Sequence, residues 1–319
     1  MEKVMSRKLI TISTIMTLMS TSVIADVPNV AADIAPIHSL VSRVMDGVGA
    51  PKLIVQSGAS PHGYRLRPSE AKALQDADHV FWMGEELTPW LDSAIGTLAS
   101  KASVTTLLDQ QGVILHDFRE GALFEAHDHS AHGDDDHDDH DDHDDHDDHG
   151  SHDPHAWLSP ENAKLWLNII ASKLSVSDPE NAATYFMNAA AGQAEIEAMI
   201  AEVKATLKPV QGGKFVVFHD AYQYFENDFD FYASGAISLG DSSDPSPARI
   251  EKVQKRIRDE GIQCVLAEPQ FKKGLVATVM EGSDATASVI DPLGAELETG
   301  PKLYTRLIKN MAKTLRNCL

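Results

Sequence analysis

Nine histidines fall between His127 and His152, interleaved with Asp. They are His127, His129, His132, His137, His140, His143, His146, His149 and His152. Thirteen Asp lie between Asp128 and Asp153, and the stretch holds no Lys or Arg. Imidazole is the commonest metal ligand near neutral pH, and carboxylate is the usual second choice. A His-Asp-Asp repeat has no apolar residue to bury against the entropy of ordering, so it predicts a flexible loop rather than a folded unit. The composition reads as a loop that collects metal ions. A solvated acidic linker is the plain alternative, but such a linker needs no histidine at every third position.

Three further histidines share one kind of position. His62 lies in the loop after the apolar run Pro51–Gln56, His219 follows the run Lys214–Phe218, and His155 precedes a helix opening near Pro160. Asp291 follows a run ending at Ile290. In open parallel α/β sheets the strand ends line the ligand crevice. A cleft taking His62 and His155 from one lobe and His219 and Asp291 from the other would gather three imidazoles and a carboxylate, a set suited to tetrahedral Zn²⁺. Asp291, before Pro-Leu-Gly, is equally a natural turn residue. Asp220 and Glu268 are the reserve carboxylates. His38, His79 and His116 read as structural or surface groups.

The elements that must position these residues alternate. Strand-like runs at 29–33, 51–56, 79–83 and 102–107 are separated by helical patterns opening at Pro36, at Pro68 and near Leu87. After a helix over 162–174, a longer one runs from a cap at Asp178-Pro179 to about Leu207. The alternation then resumes, with strands at 214–218, 232–237, 264–267 and 287–290 and helices at 248–260, 274–280 and 302–315. This predicts an α/β fold of two lobes, each a mostly parallel sheet flanked by helices, joined by one long linker helix. Residues 26–177 form the first lobe, with the His/Asp run as an insertion over 127–152. Residues 178–208 form the linker helix, and 209–319 the second lobe.

Residues 1–25 read as a signal segment. Lys3, Arg7 and Lys8 precede an apolar stretch that ends at a small-residue site, Val23-Ile24-Ala25. No later stretch is long and apolar enough to span a membrane, so the product is expected to be exported and soluble. The formal net charge of −21 sits largely in the run. It suits attraction of cations and argues against nucleic acid, which needs a basic patch. The two cysteines, Cys264 and Cys318, invite a disulfide in an exported chain, with a reduced pair as the alternative.

At this point a resemblance becomes specific. Gly58-Ala59-Ser60-x-His62-x-Tyr64-x-Leu66-Arg67-Pro68-Ser69, His155-Ala156-Trp157-Leu158-Ser159-Pro160 and Phe218-His219-Asp220-Ala221-Tyr222-x-Tyr224-Phe225 resemble the three ligand loops of the periplasmic zinc-binding proteins of bacterial ABC importers, the ZnuA type. Ala267-Glu268-Pro269-Gln270 and Asp291-Pro292-Leu293-Gly294 match as well. The resemblance spans essentially the whole mature chain. It implies two lobes joined by one long helix, zinc as transported ligand, a membrane permease subunit as partner, a periplasmic location and no catalysis. An acidic histidine-rich insertion and a cysteine pair placed like Cys264 and Cys318 are also features of the zinc members. Pro61 departs from those members that carry a carboxylate just before the first ligand. The fourth position then falls to water, Asp291 or a histidine of the run. His219, where manganese and iron relatives carry a carboxylate, favours Zn²⁺ over Mn²⁺. A zinc hydrolase is the first rival, without an HExxH pattern to support it. A stand-alone buffer for zinc, nickel or copper is the second. A monomer is the expected state.

Overall fold

The computed structural model describes residues 27–119, 124, 152–238, 240, 245–270 and 273–319. The expected signal segment 1–25 and the run's histidines from His127 to His149 lie outside the described residues.

Each half of the chain builds a parallel four-stranded sheet. The first contains β1 (Val30–Ala32), β2 (Lys52–Leu53), β3 (His79–Trp82) and β4 (Ser103–Thr106), in spatial order β2-β1-β3-β4. The second contains β5 (Phe215–His219), β6 (Ala236–Ser238), β7 (Cys264–Ala267) and β8 (Thr286–Val289), in order β6-β5-β7-β8. The two orders are the same, so each sheet reverses direction of growth between its first and third strands. That switch point is where the carboxyl ends of parallel strands open a crevice. Crossovers run through α1 (Ala35–Val44), α2 (Pro68–Gln75) and α3 (Pro89–Leu98) in the first half. In the second they run through α6 (Gln223–Phe229), α7 (Pro247–Glu260) and α8 (Lys273–Met280).

Side chains alternate across each sheet and sort into separate cores. Val30, Ala32 and Phe81 join Phe215, Val217, Cys264 and Leu266 in one large core between the sheets. Ala31, Val80 and Trp82 pack outward against α2 and α3, and Val216, Phe218 and Val265 outward against α7 and α8. The same period of two turns His219 and Glu268 toward the central core, two residues beyond Val217 and Leu266.

Between the halves lie α4 (Pro160–Ser177) and the 26-residue α5 (Ala182–Leu207). At 1.5 Å per residue α5 is roughly 39 Å long. It packs on α4 and α1 on one side and on the closing helix α9 (Leu303–Cys318) on the other. Gly192 lets α5 approach α4 closely, since a Cβ there would lie 2.9 Å from Leu167 Cδ1. Asn188 donates to the Val44 and Asp46 carbonyls at the end of α1, while Glu202 meets Lys309 of α9 at 2.5 Å.

Two expectations need correction. Asp178 does not cap the long helix. It ends α4, and its carboxylate accepts the Asn181 N–H and the Tyr185 hydroxyl, so α5 starts at Ala182. The strand-like run 51–56 is a strand over only two residues, Lys52–Leu53. Its later residues still donate, Ile54 N–H to Ala32 and Val55 N–H to Asp33, but the edge position leaves the other side unpaired by the sheet.

The halves are also bonded directly. Ser39 Oγ of α1 donates to the Gly300 carbonyl (2.7 Å) and accepts the Tyr304 N–H (3.0 Å). Tyr304 Oη donates to the Trp157 carbonyl (3.0 Å), and Trp157 Nε1 donates to the Pro292 carbonyl (2.8 Å). Cys264 and Cys318 form a disulfide with a Cα–Cα distance of 5.6 Å, tying β7 to the end of α9. Among the described residues no helix is long and apolar enough to cross a membrane.

Candidate metal centre

His219 ends β5, and its position follows from register. Val217 pairs with Leu266 in the parallel ladder, so residue 219 stands beside residue 268. Glu268 Oε1 accordingly meets His219 Nδ1 at 2.6 Å, both groups buried. Glu268 is held in turn by Gln270 Nε2, at 2.7 Å on its other oxygen. His155 comes from the segment just before α4. Asp153 Oδ1 accepts its backbone N–H at 3.0 Å and meets its Nδ1 at 2.6 Å. Asp153 itself is fixed by backbone, since its N–H donates to His116 and its carbonyl accepts the Tyr224 hydroxyl.

With each Nδ1 held by a buried carboxylate, each imidazole presents Nε2 to the same space. The two Nε2 atoms stand 3.3 Å apart. Two nitrogens bound tetrahedrally to one zinc at ~2.0–2.1 Å would be separated by about 3.3–3.4 Å. His62, half-buried on the loop after β2, completes the group. Its ring centroid is 5.6 Å from that of His155, and one ring nitrogen from each histidine lies within 4.8 Å of the others. Pro61, Trp157, Gln270, Pro292 and Leu293 line the remaining walls of the cleft.

The surroundings are rich in buried carboxyl groups. Burial pushes the Asp153 carboxyl up to about 7, against the pull of the His155 N–H and the Arg119 charge. Burial likewise raises Glu226 to about 7 and raises Asp220, with Arg119 opposing both shifts. Arg119 donates through Nε to both Asp220 oxygens (3.1 and 3.0 Å) and through Nη1 to Glu226 (2.6 Å), while its guanidinium lies 3.7 Å above the Phe124 ring. Burial works against its charge, but Asp220 and Glu226 hold its pKa above the ordinary value. Tyr222, fully buried beside Glu268, has its phenol pushed well above the usual range by burial and then by that carboxylate.

Of the four residues predicted to meet, the structure brings three histidines together. Asp291 does not join them among the described residues. Its carboxylate accepts the N–H groups of Leu293, Gly294 and Ala295 at 3.0, 2.8 and 2.6 Å, the turn role open to it from sequence. His152, the described member of the run, meets Asp117 at 2.9 Å and pairs with it as an antiparallel bridge at the base of the insertion. His38 bonds the Pro51 carbonyl, and His79 bonds Ser177. Sequence reasoning did not single out Asp153 or Arg119. Asp153 was one Asp among thirteen, and the available signal was its place two residues before His155, beyond the repeat. Arg119 is the last cation before the run, a signal visible only in hindsight of its partners.

The chain matches the family described as ZnuA, zinc-uptake complex component A, periplasmic, over residues 30–318. It is 47% identical over 304 residues to the high-affinity zinc uptake system protein ZnuA of Brucella abortus (strain 2308), with 91% of each chain covered. It is 41% identical over 302 residues to the protein of the same name from Paracoccus denitrificans (strain Pd 1222), covering 92% of this chain and 93% of that one. A crystal structure of a ZnuA superimposes with a TM-score of 0.73 at 22% identity, covering 92% of this chain and 99% of its own. On the match over residues 30–318 and these identities, the chain belongs to the periplasmic zinc-uptake component family, ZnuA.

Proposed function

We propose that His62, His155 and His219 capture Zn²⁺ in the cleft between the lobes and that the protein delivers it to the permease of an ABC importer. The observation that carries this reading is the 3.3 Å approach of two imidazole Nε2 atoms, each oriented by a carboxylate behind it. Such an outer carboxylate fixes the tautomer and raises the basicity of a metal-bound histidine. A dication between the rings also favours the charged form of the Asp153 carboxyl, which burial disfavours. The fourth position goes to water or to a histidine of the run, since Asp291 lies outside the group of three and holds a turn through three backbone N–H groups. No reaction is catalysed.

The His/Asp run is an accessory store. Tethered beside the cleft, it raises the local zinc concentration at the tight site. We further infer an exported monomer cut after Ala25, with lobes over 26–177 and 209–319 about the linker 178–208.

A competitive zinc titration against a chromophoric chelator tests the assignment, using mature protein with residues 127–152 deleted. One tight zinc site is expected, with much weaker Mn²⁺ binding, and with an affinity that falls steeply but measurably in His62→Ala, His155→Ala or His219→Ala. A stand-alone metal buffer would instead lose nearly all binding with the run.

A further inference from the structure

His155 and His219 are ligands built into the framework: one is bracketed by bonds from Asp153, the other lies within a β-strand. His62 sits on a loop between β2 and α2, and its place depends on what holds that loop. Two side chains from different helices do so, on either side of it. Trp90, in the first turn of α3, donates its indole N–H to the Pro61 carbonyl at 2.7 Å. Glu70, buried in the first turn of α2, accepts the Tyr64 hydroxyl at 2.8 Å and the Arg67 N–H at 2.7 Å. The Tyr64 and Trp90 rings then meet, with centroids 5.7 Å apart. The clamp thus closes over residues 61–64 and leaves the imidazole of His62 turned into the cleft. Trp90 itself is anchored, because the Thr88 hydroxyl ahead of it is fully buried and donates to Gly84.

We propose that Trp90 is a positioning residue for zinc capture, its indole N–H fixing the Pro61 carbonyl so that His62 meets the other two histidines. This rests on His62 being a zinc ligand. Without the bond the loop must be ordered by the metal, and that cost appears as weaker binding and faster release. Trp90→Phe keeps an aromatic ring against Tyr64 while removing the indole N–H along with part of the ring that packs on the core.

The test measures tight-site zinc affinity and the rate of zinc loss to excess chelator, on the full mature chain. The variants are Trp90→Phe, His62→Ala and the double variant, with Tyr64→Phe releasing the second fastening as an independent probe. The expected loss in Trp90→Phe is about three- to tenfold, the scale of one hydrogen bond. It should come with an altered visible spectrum of the Co²⁺ form and with a metal-free protein that still unfolds cooperatively. In the His62→Ala background Trp90→Phe should have no further effect. Tyr64→Phe should behave in the same His62-dependent way. Equal fold-losses with and without His62, or full affinity in Trp90→Phe whatever Tyr64→Phe shows, would overturn the proposal alone. Zinc binding indifferent to His62→Ala would overturn it together with the site on which it rests.

Discussion

The Nε2 atoms of His155 and His219 lie 3.3 Å apart, the spacing of two rings that share a proton or of two ligands on one cation. The carboxylates of Glu268 and Asp153 stand behind, each 2.6 Å from an Nδ1, and a proton held on each Nδ1 turns both Nε2 lone pairs toward a cation. Glu268→Gln keeps the volume and an oxygen for the Nδ1–H but removes the charge. We expect zinc affinity to fall about 10- to 100-fold, the usual cost of losing an outer carboxylate. Chelator competition checks this, and an unchanged affinity would mean that Glu268 serves the fold rather than the metal. Arg119 works differently, as the counter-charge of buried Asp220 and Glu226. Arg119→Met leaves both carboxylates without it, so urea unfolding should show a loss of about 3–5 kcal/mol. The three histidines were legible because each stands at the edge of a regular element, His219 ending β5, His155 ahead of α4 and His62 on the loop after β2. Arg119 was not, since its partners lie 101 and 107 residues away and nothing local to position 119 announces them.

At the scale of elements, what the sequence made legible was set by how local the cause is. Helix α7 has its start at Ser246, whose hydroxyl accepts the Arg249 N–H, and its stop at Gly261 in the left-handed region (φ 63°), so both ends are written in adjacent residues. Helix α6 was missed because its cause is tertiary. Its sequence is aromatic and only seven residues long, a poor helix alone, but Tyr224, Phe225, Glu226 and Phe229 are all buried by their surroundings. The long helix was visible, while its close contact with α4 was not, because a glycine inside a helix looks only like a weak point. Gly192 is instead where the helices meet. Gly192→Val would improve propensity slightly and drive a branched side chain into Leu167 and Arg43, whose atoms lie 2.9 and 3.1 Å from a Cβ there. Overpacking should win, costing about 1–3 kcal/mol in chemical denaturation. A variant as stable as the parent would show that α4 and α5 can part at no cost.

Across the whole molecule, the two halves repeat one strand order, and the site uses the same end of both sheets. The disulfide uses the other end of the second. Cys264 opens β7 and Glu268 follows its last residue, so four residues at ~3.3 Å each separate the bridge from the metal site by about 13 Å. The bridge closes a loop of 54 residues that contains α8, β8 and most of α9. In the chain-entropy account a loop of this size stabilises the fold by about 4 kcal/mol. Replacing both cysteines, Cys264→Ala with Cys318→Ala, should therefore lower the unfolding free energy by up to that amount. The folded fraction should keep its zinc affinity within about twofold, because β7 is held in the sheet by β5 and β8 on either side. Unfolding and zinc competition on the same preparation separate the two effects. Stability lost with affinity retained would place the bridge in the service of the fold alone. A parallel fall in affinity would mean that strain at the start of β7 reaches Glu268, and that the second sheet transmits along its strands what it was expected only to hold in place.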